Sequence, residues 1–270
     1  NPGASAWRGA DFNVTFDVNF DYSGRGIATT QYKINGGAWT PFGTDLNALV
    51  NVDGNNTVDY NFCDNANNCT TGTLYAALDR NYPVIVSITN PGTIWQNADF
   101  NVTFDVNYGI SDKNSAQYMI DSSAWTDFVS DYNILIATDG NHRIDYSFCN
   151  NANNCTSGTI YSALDRSAPS AAVLPDLNTF NFGNIDLNWT LTPAGDLESG
   201  IASYAVWRNM DGNTFILIGS TTDTNYADTT LVDGNYGYFV QAINGANLDA
   251  NSNIVYTMTE LTAPLDFNVL

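Results

Sequence analysis

The sequence predicts an all-β protein of tandem β-sandwiches arranged as a rod. Three observations carry this: a composition of strand and turn formers, an apolar period of two, and a long internal repeat. The 270 residues include 37 Asn, 26 Asp, 28 Thr, 15 Tyr and 14 Phe, against two Glu, two Lys and three Met. Thr, Tyr and Phe suit pleated surfaces, and Asn and Asp suit turns.

The repeat organises the chain. Residues 10–19 and 98–107 both read ADFNVTFDVN, and residues 65–70 and 151–156 both read NANNCT. Asp53-Gly54-Asn55 returns as Asp139-Gly140-Asn141, and Leu78-Asp79-Arg80 as Leu164-Asp165-Arg166. A period of about 87 residues is too long for a solenoid unit, so each copy is expected to be a self-contained domain. The expected boundaries are 1–82 for copy one, 83–168 for copy two and 169–270 for a different C-terminal module.

Within copy one, Phe12, Val14, Phe16 and Val18 alternate with polar residues, which predicts a half-buried strand. Val58, Tyr60 and Phe62 alternate in the same way. Asn35-Gly36-Gly37 and Asp53-Gly54-Asn55 mark turns between strands. In the C-terminal module the segments 185–192, 203–208, 214–219, 236–243 and 254–258 read as strands. Tyr82-Pro83, Ala168-Pro169 and Ala263-Pro264 read as stiff joints, because Pro fixes φ and biases its predecessor to extended geometry.

Cys63 and Cys69 flank the turn of one expected hairpin, and Cys149 and Cys155 flank its counterpart. Cysteines facing each other across a hairpin meet the separation a disulfide needs. Zinc would need four ligands, and the single histidine, His142, is too little to complete either pair. Local disulfides Cys63–Cys69 and Cys149–Cys155 are therefore expected, and with them an oxidising compartment.

Copies one and two resemble the bacterial and archaeal surface repeats of immunoglobulin-like type. The matching residues are Tyr32, Asn35-Gly36-Gly37, Trp39, Asp53-Gly54, Tyr60 and the run 64–68 (DNANN), with Tyr118, Trp125, Asp139-Gly140, Tyr146 and the run 150–154 in copy two. Asn67 and Asn153 stand where that family has a turn glycine; Asn tolerates positive φ, so the turn is expected to survive. The C-terminal module resembles a fibronectin type III domain through Trp189, Ser199-Gly200-Ile201, Tyr204 and Arg208, with Tyr236 at the tyrosine-corner position. The resemblance implies immunoglobulin-like and fibronectin-like sandwiches on a cell surface or outside the cell.

The formal net charge of −20 would repel a phosphate backbone, which argues against nucleic acid as partner. No apolar run approaches the ~20 residues of a membrane span. No Ser-His-Asp or Cys-His set assembles around His142, which reads as an exposed turn residue, so no catalytic residue is expected. Six N-x-S/T sequons, at Asn13, Asn55, Asn68, Asn101, Asn154 and Asn188, are candidate glycosylation sites. No cofactor is expected beyond calcium: the resemblance to extracellular immunoglobulin-like rods implies loop-oxygen sites near joints, with Asp21, Asp64, Asp196 and Glu198 as the candidate ligands. The paired tryptophans, Trp7 with Trp95 and Trp39 with Trp125, read as core or joint packing.

The expected role is structural: a segment or subunit of a surface filament, surface layer or stalk whose partners are its own copies or other surface proteins. An adhesin or carbohydrate-binding stalk, or the accessory modules of a secreted hydrolase, are the alternatives.

Overall fold

The computed structural model describes residues 6–19, 26–178, 180–181, 183–191, 196 and 198–260, and every regular element among them is a strand. Copy one carries β1 (Trp7–Arg8), β2 (Phe12–Thr15), β3 (Ile27–Ile34), β4 (Thr40–Pro41), β5 (Asn47–Val50), β6 (Gly54–Asp64) and β7 (Cys69–Leu78). They make a sheet in the order β1-β7-β6-β3-β4 and a second sheet of β2 and β5. Val58, Phe62, Ala76 and Leu78 of the first sheet and Val14, Ala48 and Val50 of the second are buried in one cluster, so two sheets share this core. Phe42 and Phe62 stack in it at 5.2 Å.

Copy two carries β8 (Val84–Thr89), β9 (Phe100–Asn107), β10 (Lys113–Ile120), β11 (Thr126–Asp127), β12 (Asn133–Ile136), β13 (Gly140–Asn150) and β14 (Cys155–Leu164). Their sheets run β11-β10-β13-β14 and β12-β9-β8. Phe128 stacks on Phe148 at 5.5 Å, the counterpart of the Phe42–Phe62 pair.

The C-terminal segment carries β15 (Ala172–Val173), β16 (Phe180–Asn181), β17 (Ile185–Asn188), β18 (Thr190–Leu191), β19 (Ile201–Met210), β20 (Ile216–Thr221), β21 (Asn225–Asp228), β22 (Gly234–Asn244), β23 (Asp249–Asn251) and β24 (Val255–Thr259). Its main sheet runs β16-β24-β22-β19-β20, with β23 also paired to β22. The stretch 185–192, read as one strand, is two. Trp189 between them is buried in the core, and β17 pairs with β21 while β18 pairs with β15. Tyr236 forms the expected corner: its hydroxyl donates to the Val232 carbonyl and accepts from the Val232 N–H, both at 3.0 Å.

By compactness the chain divides into two units, one of residues 1–89, 102–134 and 143–160, the other of residues 90–101, 135–142 and 161–270.

Both disulfides form, with Cα–Cα separations of 4.1 Å, as Cys63–Cys69 and Cys149–Cys155. The first joins directly opposed residues of β6 and β7. Closing so short a loop removes modest chain entropy, worth about 2 kcal/mol for each bond. Reduction is therefore expected to lower stability by about that amount per bridge without unfolding the chain at 25 °C, measured as the urea midpoint with and without dithiothreitol.

Candidate functional sites at two buried aspartates

Among the described residues, three hairpins share one construction. Asp64, Asn150 and Asn244 each begin a five-residue turn in which the backbone N–H donates to the carbonyl four residues on, at 3.0, 3.0 and 2.9 Å. The side-chain Oδ1 of each accepts the N–H groups two and four residues later. The fourth residue, Asn67, Asn153 or Asn247, sits at φ of 62°, 61° or 60°. Asn67 and Asn153 thus hold the left-handed position, as expected, and Asn247, which sequence alone did not single out, holds it too.

What differs is the first residue's other end. Asn150 turns its Nδ2 donor toward Asp79, 3.2 Å from Oδ2, and toward the Asn81 carbonyl at 2.9 Å. Asn244 does the same with Asp165 Oδ2 at 3.0 Å and the Ser167 carbonyl at 2.9 Å. Asp79 and Asp165 are the middle residues of the repeated Leu-Asp-Arg motif, and both are fully buried. A buried carboxylate is tolerated only when its oxygens are hydrogen-bonded, and these are. Asp79 accepts from Asn81 N–H at 3.0 Å and Ser111 Oγ at 2.6 Å besides Asn150. Asp165 accepts from Ser167 N–H at 2.9 Å and from the Ser199 hydroxyl. Each aspartate, at the end of one copy, is thereby tied to the hairpin of the following copy or segment.

The neighbouring arginines lock the same strand ends. Arg80 reaches Asp53 at 3.1 Å and Asp11 at 3.0 Å; Arg166 reaches Asp139 at 2.9 Å and Asp99 at 2.8 Å. Three motifs that repeat far apart in sequence, Ala-Asp, Asp-Gly and Leu-Asp-Arg, therefore converge on one ion-paired corner in each copy. The hydrogen bonds from Arg80 and Arg166 hold the Asp53 and Asp139 carboxyls below the ordinary aspartate range. These pairs are exposed, so they add orientation more than stability.

Of the calcium candidates, Asp21 lies outside the described residues. Asp64 Oδ1 is taken by turn N–H groups and its Oδ2 accepts from Asn68 Nδ2 at 2.9 Å. Asp196 and Glu198 do come together, and Asp165 joins them, with one ligand atom from each within 4.8 Å of the others. Asp196 Oδ1 caps the N–H groups of Glu198, Ser199 and Gly200, and its Oδ2 accepts from Asn244 Nδ2 at 2.7 Å. Asp165 was not singled out from sequence, although its place in a repeated Leu-Asp-Arg was the available signal.

Asn13, Asn55, Asn68, Asn101 and Asn188 are exposed. Asn154 is not. It is 8% exposed, and its Nδ2, the atom that would carry a glycan, donates to the Asp79 and Asn81 carbonyls at 2.7 and 3.0 Å. His142 is likewise buried rather than exposed, with Nε2 2.6 Å from the Thr138 carbonyl. Trp39 and Trp125 are exposed instead of lying in a core.

No protein-family model and no curated protein matches the chain. Among solved structures, domains A168–A170 of titin superpose with a TM-score of 0.50 at 14% identity, covering 96% of each chain. The fibronectin(III)-like modules of Clostridium thermocellum CbhA give 0.37 at 13% identity over 66% of this chain and 94% of theirs. Titin kinase with its flanking domains gives 0.29 at 24% identity over 35% of this chain and 17% of that one. The titin domains support a shared all-β, immunoglobulin-like fold and nothing about activity; the other two superpositions are too loose to carry an argument.

Proposed function

We propose that this chain is a non-enzymatic extracellular structural protein. In this reading it is a repeat segment or subunit of a surface filament, surface layer or stalk of the bacterial or archaeal immunoglobulin-like kind. The observation that carries the reading is the pair of buried aspartates. A carboxylate sequestered at the end of one copy and satisfied by asparagine and serine donors of the next is a device for fixing geometry, with no evident use in a reaction. The two disulfides suit an oxidising compartment such as the cell exterior.

Open sheet edges favour assembly through protein–protein contacts. Among the described residues, β8 ends one sheet of copy two with Val84 60% and Val86 61% exposed, whereas the outer edge of β14 is partly covered by Asn90 and Gln96. Such edges accept a further strand from a neighbouring chain.

Negative-stain electron microscopy of native material tests this reading. Ordered filaments or lattices are the expected result, and isolated particles at all concentrations would shift the reading to an adhesive stalk. Calcium, if it serves the assembly, acts at Asp165, Asp196 and Glu198. Because protein donors already occupy Asp165 and Asp196, chelation with EDTA is expected to leave the melting midpoint unchanged. A fall of several degrees would assign a cation to that cluster.

A further inference from the structure

The two copies differ at one pocket in a way that makes each a control for the other. In copy one, Lys33 on β3 stands directly across from Asp59 on β6. Its Nζ lies 3.5 Å from Asp59 Oδ2 and 5.0 Å from the centre of the Trp39 ring. Thr73 Oγ1 donates to Asp59 Oδ1 at 2.5 Å. An ammonium is thus held between a carboxylate oxygen and an aromatic face.

Copy two keeps the frame but has no lysine in it; its cation, Arg143, reaches only one oxygen of the carboxylate. At an offset of 86 residues, Asp145, Trp125 and Thr159 stand for Asp59, Trp39 and Thr73, but Met119 stands for Lys33. Met119 is again directly across from Asp145. Arg143, where copy one has Thr57, donates to Asp145 Oδ1 at 2.8 Å, and Thr159 Oγ1 donates to the same oxygen. Oδ2 is left buried with no hydrogen-bond partner, in a residue only 7% exposed. An unsatisfied buried carboxylate oxygen is costly, and in copy one the equivalent atom faces Lys33. Asp145 lines a pocket of about 330 Å³ together with Met119, Trp125, Arg143, Tyr146 and Gly158, with the Arg143 guanidinium held on Asp145 Oδ1 and Oδ2 left over. Trp125 is 47% exposed at its side.

We propose that this pocket binds an alkylammonium group, the tip of a lysine side chain presented by a partner protein. Asp145 Oδ2 accepts its N–H and the Trp125 face receives its charge, reproducing between molecules what Lys33 does within copy one. The unbranched Met119 thioether swings aside to admit it. A second copy is a poor donor, because the chain has two lysines, Lys33 in its own site and Lys113 lying 5.5 Å from the Tyr132 ring centre. The net charge of −20 draws a cationic partner toward the surface.

The test is a two-dimensional amide NMR titration of the full ¹⁵N-labelled chain with Nα-acetyl-lysine methylamide and with a short Gly-Lys-Gly peptide. Saturable shifts are expected at the Trp125 indole N–H and the Gly158 amide, with none at Trp39. The peptide should bind at least as well as the small amide if the source is a protein chain; tighter binding of the small amide would overturn the protein source. Met119→Lys, which fills the site from within, should abolish the shifts, and Asp145→Asn should weaken binding about tenfold or more. Lys33→Met should open the same response at Trp39. Shifts that do not saturate, that persist in Met119→Lys, or that appear equally with the Nε-acetylated ligand would overturn the proposal.

Discussion

Replacing Asp228 with alanine is expected to destabilise the C-terminal module by about 3–5 kcal/mol, the cost of breaking a buried ion pair from one side. Asp228 is 2% exposed at the end of β21. Its Oδ2 accepts from Arg208 Nη1 at 2.8 Å and from the Tyr238 hydroxyl at 2.9 Å, while Oδ1 accepts from the Thr230 N–H and hydroxyl. The variant would leave a largely buried guanidinium and a fully buried phenol short of an acceptor. Urea denaturation measures the loss; a change under 1 kcal/mol would mean that Thr230 or water replaces the carboxylate.

The same site sets a pH window. Burial pushes the Asp228 carboxyl up, but the hydrogen bonds from Arg208, Thr230 and Tyr238 outweigh it and the net shift is downward. A group whose folded pKa is depressed contributes stability above its unfolded value, and that contribution is lost as pH falls through the folded value. Asp53 and Asp139 act in the same direction. Tyr238 is raised, first by burial and then by Asp228, so its contribution is present below the unfolded tyrosine value near 10 and is lost as pH rises beyond it. Relief of self-repulsion as pH falls from 7 toward the isoelectric point of about 4.1 opposes the acid limb. Stability should therefore decline below about pH 4 and above about pH 10, with both limbs shallower in Asp228→Asn.

Asp79→Ala and Asp165→Ala should each cost about 3 kcal/mol and loosen the segments they join. Removing Asp165 leaves the Ser167 N–H and the Ser199 hydroxyl without their acceptor and takes one of three from Asn244 Nδ2. Removing Asp79 does the same to the Asn81 N–H and the Ser111 hydroxyl. Calorimetry should show a transition that broadens or splits, and proteolysis at 166–169 should accelerate in the Asp165 variant. An unchanged, single transition would mean that the remaining contacts hold the joint without the carboxylate. Asn150→Ala and Asn244→Ala should cost at least as much, since each removes a donor to the buried aspartate and also the Oδ1 that shapes its hairpin.

Much of the architecture was readable in order of residues alone. Alternation of period two is a local property, so the strands around Val14, Val58 and Phe62 followed from it, and a break such as Trp189 did not because its burial depends on a distant sheet. The cysteine pairs were legible because a hairpin places its partners within six residues. The positive-φ asparagines were legible because backbone sterics admit few residue types there.

The sites were another matter. Leu-Asp-Arg was visible as a recurrence, yet nothing local marks its aspartate as buried; that depends on donors 71 and 79 residues away, at Asn150 and Asn244. His142 read as an exposed turn residue and Asn154 as a candidate glycan acceptor, and both proved buried, because the surfaces that cover a turn come from elsewhere in the chain. The exchange of Lys33 for Met119 is plain in the aligned copies, but its consequence, a carboxylate oxygen left without a hydrogen-bond partner, exists only where β10 lies beside β13. Sequence by itself determined what short-range sterics and periodicity control: strands, turns, disulfides and repeat. Tertiary structure alone decided which polar groups are desolvated and by what they are satisfied, since burial is a property of everything that packs around a residue.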